Sequence, residues 1–142
     1  MRPVSELLKK APSATWRVTP ERTVFDALHL LAEYDVGALM VMQGDQLLGM
    51  FSERDYTRKV ALQGRDSRRT LVHEIMTPSV MVVPPSTDVR ACMQLMSQRK
   101  FRHLPVVENN QVLGMISIRD LMDDIIADDE LTIAQLQSYI HG

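Results

Sequence analysis

Two short segments hold the residue types best suited to chemistry. Gly49-Met-Phe-Ser-Glu-Arg-Asp55 and Gly114-Met-Ile-Ser-Ile-Arg-Asp120 each place a serine, and three residues later an aspartate, behind a glycine that closes an apolar stretch. If a strand ends at the glycine and a helix begins at the serine, the helix's free N–H groups and positive dipole end suit an anion. The glycine then lets a ligand come close to the backbone. The aspartate can accept hydrogen bonds from a pair of sugar hydroxyls. The same spacing also makes a capping box, which needs no ligand. Thr23-Val-Phe-Asp26 has that spacing at an ordinary helix start, so spacing alone assigns no site.

Other chemistry finds little support. His29, His73, His103 and His141 are scattered, and Cys92 falls on an apolar helix face; neither metal-ligand spacing nor a nucleophile motif is present. We therefore expect no catalytic residue, no metal and no enzymatic activity. The methionines at 40, 50, 93, 96 and 115 fall at positions of the pattern that should be buried, so core packing accounts for them. The chain has 142 residues, 45% of them hydrophobic, enough for one domain with a real core. A net charge of −2 provides no global field for nucleic acid. A single cysteine excludes an internal disulfide. No secretory signal is readable, and the apolar runs fall far short of the roughly 20 residues of a membrane span. The expectation is a cytoplasmic protein without membrane contact.

The elements that position the two segments repeat. Shifted by 65 residues, Val18–Tyr56 lies over Val83–Leu121 without gaps, with thirteen identities that include Val18/Val83, Val24/Val89, Leu39/Leu104, Gly49/Gly114, Ser52/Ser117 and Asp55/Asp120. Upstream, Val4-Ser-Glu-Leu-Leu8 matches Val72-His-Glu-Ile-Met76 at a shift of 68. Val24, Ala27, Leu28 and Leu31 have helical spacing, as do Val89, Cys92, Met93 and Met96; Thr23 and Thr87 are the expected caps. Ala38–Met42 with Leu47–Phe51, and Leu104–Val107 with Val112–Ile116, read as hairpins. A second helix then starts at Ser52 and Ser117, burying Tyr56 and Val60, or Leu121 and Ile125. The expected organisation is a first repeat over 1–62, a solvated linker over 63–70 with Arg65, Arg68 and Arg69, a second repeat over 71–127, and a short helix over 128–142. That last helix should carry one stripe of Leu131, Leu136, Tyr139 and Ile140.

With two Gly-h-x-Ser-x-x-Asp signatures and Arg102-His-Leu-Pro-Val106 in one repeat frame, the chain resembles a tandem pair of cystathionine-β-synthase (CBS) domains over about Val4 to Ile126. The resemblance implies a mixed α/β fold of α+β type: two βαββα repeats with pseudo-twofold symmetry, small sheets packed together, two clefts between the halves, and a homodimer. It implies an adenine nucleotide as ligand, whether AMP, ADP, ATP or NAD. Ser52 and Ser117 would take phosphate and Asp55 and Asp120 ribose. Val18, Thr19, Val36, Gly37 and Ala38 would wrap adenine in one copy, and Val83, Pro84, Phe101, Arg102 and His103 in the other. Arg102 and His103 could also reach phosphate, with Arg54, Arg58, Lys59 and Arg119 adding positive charge nearby. The two clefts need not be equal, because Arg102 and His103 stand where the first copy has Gly37 and Ala38, and Met40 stands where the second has Pro105.

Two functions follow from the resemblance. One is a sensor that binds nucleotide and signals to a separate, unidentified protein, since the chain leaves no length for an effector domain. The other is a ligand-independent assembly scaffold; S-adenosylmethionine is the alternative ligand.

Overall fold

The computed structural model describes residues 2–10 and 13–141. A 3-10 helix, Val4–Lys10, and a 3-10 turn, Ser13–Thr15, lead into β1 (Arg17–Val18), α1 (Val24–Tyr34), β2 (Ala38–Gln43), β3 (Gln46–Ser52) and α2 (Glu53–Tyr56). Helix α2 runs on as π-helical turns over Thr57–Ala61. The second half follows as α3 (Val72–Ile75), β4 (Thr77–Pro78), α4 (Val89–Arg99), β5 (His103–Glu108), β6 (Gln111–Ser117) and α5 (Ile118–His141).

The two hairpins are copies down to their irregularities. Ala38 opposes Ser52 and His103 opposes Ser117, and each ladder shifts register at the equivalent point, Val41/Met42 and Val106/Val107. The sheets differ at both edges: the first has four strands in the order β1-β2-β3-β4, and the second, among the described residues, only β5 and β6. In the first, Met40 donates its N–H to Trp16 O at 3.0 Å, and β1 pairs with β2 over Arg17 and Val18. Pro105 stands at the Met40 position and has no N–H to give, so the corresponding strand shrinks to a single parallel bridge, Val83 to Val106.

Helix caps follow the same frame. Thr23 accepts from Asp26 N at 3.1 Å as expected. In the second copy the cap is Asp88, accepting from Ala91 N at 2.8 Å, and not Thr87. A shift of 65 from Thr23 lands on Asp88, and its carboxylate is the shorter and stronger cap. The expected separate C-terminal helix is the continuation of α5, because no glycine or proline interrupts Ile118–His141. The stripe expected of Leu131, Leu136, Tyr139 and Ile140 concerns side chains outside the described residues. The 63–70 segment is exposed over most of its length, as expected of a solvated linker, but it is anchored at points: Ser67 O accepts from Phe25 N at 3.0 Å, Arg68 lies 4.6 Å from the Phe25 ring centre, Arg65 pairs with Glu74 at 2.9 Å and Thr70 is buried.

The leading segments are exchanged between the halves. Val4 and Leu7 are buried among Val83, Val89, Cys92, Met96, Leu104 and Ile116 of the second half. Val72 and Ile75 are buried among Val18, Val24, Leu31, Leu39 and Phe51 of the first. Matching backbone bonds hold each crossing: Val4 N to Thr87 O at 2.8 Å and Val72 N to Arg22 O at 2.9 Å, Val89 N to Arg2 O at 3.1 Å and Val24 N to Thr70 O at 2.8 Å. A third apolar cluster, Ala38, Met40, Met42 and Met115 with Trp16 against it, joins the two sheets.

Gly49 lies inside β3, not at its end, and what approaches it is protein. A Cβ there would sit 2.7 Å from Thr77 O and 2.9 Å from Met76 Sδ, so glycine is what lets β4 add to the first sheet. Gly49→Ala should cost about 1–3 kcal/mol through overpacking against backbone, measured by urea unfolding. The frame also places Asp124, buried, where the first half has Lys59; its partner is Arg2, which also lies 3.7 Å from Asp128. Arg2→Met should destabilise by about 1–3 kcal/mol, tempered by the 41% exposure of that side chain, and adding Asp124→Leu should recover much of the loss. A double variant as unstable as Arg2→Met alone would show that the pair's charge is not what matters.

Candidate functional site

The strand ends of one sheet and the loop before the other enclose a cleft of about 590 Å³. Gly37, Ala38, Ser52 and Asp55 line it from the first half and Phe101, Arg102 and His103 from the second; Thr77 to Met81 form a third wall. Arg54, Arg99 and Lys100 complete the rim.

Residues expected at two separate sites, Gly37, Ala38, Ser52 and Asp55 of the first copy and Phe101, Arg102 and His103 of the second, thus meet in one cleft. The others do not join it. Val18 and Val83 are core residues, and Val36 packs against the first core, because each points its apolar side chain inward from a short strand or helix end. Thr19 is exposed. Ser117, Arg119 and Asp120 gather at the equivalent corner of the second half. The segment matching the Thr77–Met81 wall for that corner is 9–13, which includes residues outside the described ones.

At Ser52 both readings of the Ser-x-x-Asp spacing meet. Ser52 donates its N–H (3.0 Å) and hydroxyl (3.0 Å) to Asp55 Oδ2, and its oxygen accepts from Asp55 N (3.2 Å), a complete capping box. The other carboxylate oxygen, Oδ1, receives the Thr77 hydroxyl and the Lys59 ammonium, both at 3.1 Å, and Lys59 reaches on to Ile75 O at 3.0 Å. Asp55 therefore accepts four donors and ties the first half's signature to the exchanged segment of the second. Asp120 is exposed, and its Oδ2 accepts Ser117 N at 2.9 Å while Ser117 Oγ accepts Asp120 N at 3.1 Å. The Thr77 contact was not legible in the signature; the shift of 68 that aligns the leading segments is the signal that leads to it.

His103 sits at the seam, its Cε1 3.9 Å from where a Gly37 Cβ would be. Burial holds its pKa below the ordinary 6.5, opposed by the nearby Asp120 carboxylate and assisted by the Arg102 charge. Cys92 is buried in the second core, and burial, with Asp88 nearby, pushes its thiol up to about 11. Such a thiol is inert packing. Among the described residues no group of three or more His, Cys, Asp or Glu side chains gathers as metal ligands would, and no helix is long and apolar enough to cross a membrane.

A duplicated βαββα unit with exchanged leading segments and a cleft at the junction defines a paired-repeat module. The family model "CBS domain" matches twice, over residues 4–62 and 72–127, and the chain belongs to this family. The CBS domain-containing protein CBSX3, mitochondrial, of Arabidopsis thaliana is 36% identical over 98% of this chain and 72% of its own length. Among solved structures, a candidate signal-transduction protein with CBS domains from Burkholderia ambifaria is 45% identical, covers 89% of this chain and 96% of its own, and superposes with a TM-score of 0.84. A hexameric CBS-CP12 protein from bloom-forming cyanobacteria is 26% identical, covers 98% and 86%, and gives 0.77.

Because the folded His103 resists protonation that the unfolded chain accepts, its stabilising contribution is present above pH 6.5 and falls away as pH drops below it, until the folded-state value is passed. Melting temperature followed from pH 8 to pH 5 should fall less steeply in His103→Gln than in the parent. Parallel curves would place the histidine in solvent.

Proposed function

We propose that this chain is a sensor module that binds an adenine nucleotide in the cleft at the junction of its halves and transmits occupancy to a separate protein. One observation carries the reading: Ser52 and Asp55 of one repeat face Phe101, Arg102 and His103 of the other across a cavity of about 590 Å³, large enough for a nucleotide. Phe101 supplies an apolar ring for a base, Arg102 a charge for phosphate, and Asp55 an acceptor for ribose hydroxyls.

Asp55 also supplies a route for the signal. Its Oδ1 already holds Thr77 and Lys59, so a ribose diol that takes this oxygen must share it with, or displace, the groups that pin β4 and α3. Binding energy then trades against the hold on the exchanged segment, which is the differential interaction a two-state switch requires. An oligomer, in its smallest form a homodimer, is the proposed setting; that a relative of similar fold is hexameric supports oligomerisation as such.

The same saturation of Asp55 favours a second reading. A carboxylate satisfied by four internal donors needs no ligand, and the module would then be an assembly scaffold.

A thermal-shift screen with AMP, ADP, ATP, NAD and S-adenosylmethionine separates the two. A ligand at about 100 times its Kd adds about 2.7 kcal/mol of stability, several degrees in Tm. Asp55→Ala should lower the affinity of whichever nucleotide responds by about tenfold or more while circular dichroism stays that of a folded chain. No shift with any of the five, in a parent that unfolds cooperatively, would leave the scaffold, and a shift with S-adenosylmethionine alone would replace the nucleotide.

A further inference from the structure

Four cations reach the rim of the cleft with no ion-pair partner among the described residues: Arg54 from the first half, and Arg99, Lys100 and Arg102 from the second. All four are exposed. The acids lining the same cleft are Glu53 and Asp55, and the charge of Asp55 is met by Lys59. In a chain of net charge −2, this is a local positive field crossing both walls of one cavity.

The duplication provides an internal control. Shifted by 65 residues, Arg99, Lys100 and Arg102 correspond to Tyr34, Asp35 and Gly37, and only Arg54 keeps its charge, as Arg119. Three cations on one side thus stand against a tyrosine, an acid and a glycine on the other. Helix closure does not explain the difference. Lys100 and Asp35 close α4 and α1 in the same left-handed conformation, with φ of 59° and 54°, and α1 has no basic residue in its last turn. A cation near a helix C-terminus is favourable, but α1 ends in the same way without one.

We infer that this cleft is built for a nucleotide carrying a polyphosphate chain, a nucleoside di- or triphosphate, in preference to a monophosphate, and that Arg99 and Lys100 are its specificity-determining residues. The inference rests on the nucleotide reading above and adds the charge class of the ligand. A monophosphate within reach of Ser52 and Arg102 leaves Arg54, Arg99 and Lys100 unmatched; each further phosphoryl group brings negative charge and acceptor oxygens to that rim. The cluster repels itself when empty, and an extended anion relieves that repulsion.

Isothermal titration of the full chain with AMP, ADP, ATP and inorganic tripolyphosphate, at one ionic strength and without divalent metal, tests this. The parent should bind ATP about tenfold or more tightly than AMP, the worth of one charge-assisted contact. Arg99→Gln with Lys100→Gln should bring that ratio close to one, chiefly by weakening ATP. Arg90→Gln, which removes one positive charge from the exposed face of α4, should leave the ratio as it was. Equal affinity for AMP and ATP in the parent, or a ratio the double variant does not move, overturns the inference and leaves the nucleotide reading intact. Tripolyphosphate bound by the parent and lost in the double variant, with no nucleotide bound at all, supports the polyanion cleft and overturns the adenine reading. No binding of any of the four overturns the inference, and no binding of NAD as well overturns the nucleotide reading too.

Discussion

Everything in this molecule depends on the exchange of leading segments. Neither half has a complete core without a piece of the other: Val4 and Leu7 close the second, and Val72 and Ile75 close the first. Burial of such side chains is worth about 1.5–3 kcal/mol each, so separating the halves would expose four anchors at once. The halves are therefore held together, and the cleft lies where they meet.

The crossing also brings chemistry to the cleft. Because Val72–Ile75 docks on the first half, the chain leaves it as β4 alongside β3, where Gly49 makes room, and Thr77 arrives at Asp55. Lys59 completes the link by holding both Asp55 and the Ile75 carbonyl. The signature carboxylate is thus a junction between a strand end, a helix start and a segment from the other half. A ligand drawn to it meets groups that already have structural work.

Duplication made the halves alike in backbone and let them drift apart in charge. The ladders share register and irregularity, whereas Lys59 has become the buried Asp124, neutralised by Arg2, and Gly37 and Ala38 answer to Arg102 and His103. At one edge where the backbone differs, one residue suffices: Pro105 cannot donate, and a paired strand becomes a single bridge. Position within the fold is conserved between the copies because packing demands it, while rim residues are free to specialise because solvent tolerates any charge.

The sequence by itself determined the repeat, the two hairpins and the helices that follow them, since apolar spacing and turn residues are local and appear twice in one frame. Through the likeness of the two signatures to a known family it also pointed to Gly37, Ala38, Ser52 and Asp55 in one copy and to Phe101, Arg102 and His103 in the other, but it assigned them to separate clefts, and their meeting in one was decided by the tertiary structure. Only the tertiary structure decided which core each leading segment enters, because both cores offer nearly the same apolar surface and periodicity does not name a partner. For the same reason the Asp55 contacts to Thr77 and Lys59, the core positions of Val18 and Val83, the cap at Asp88 and the unbroken course of α5 had to be seen in three dimensions. A pattern of residues states which face is apolar or charged; what that face meets is fixed by the path of the whole chain.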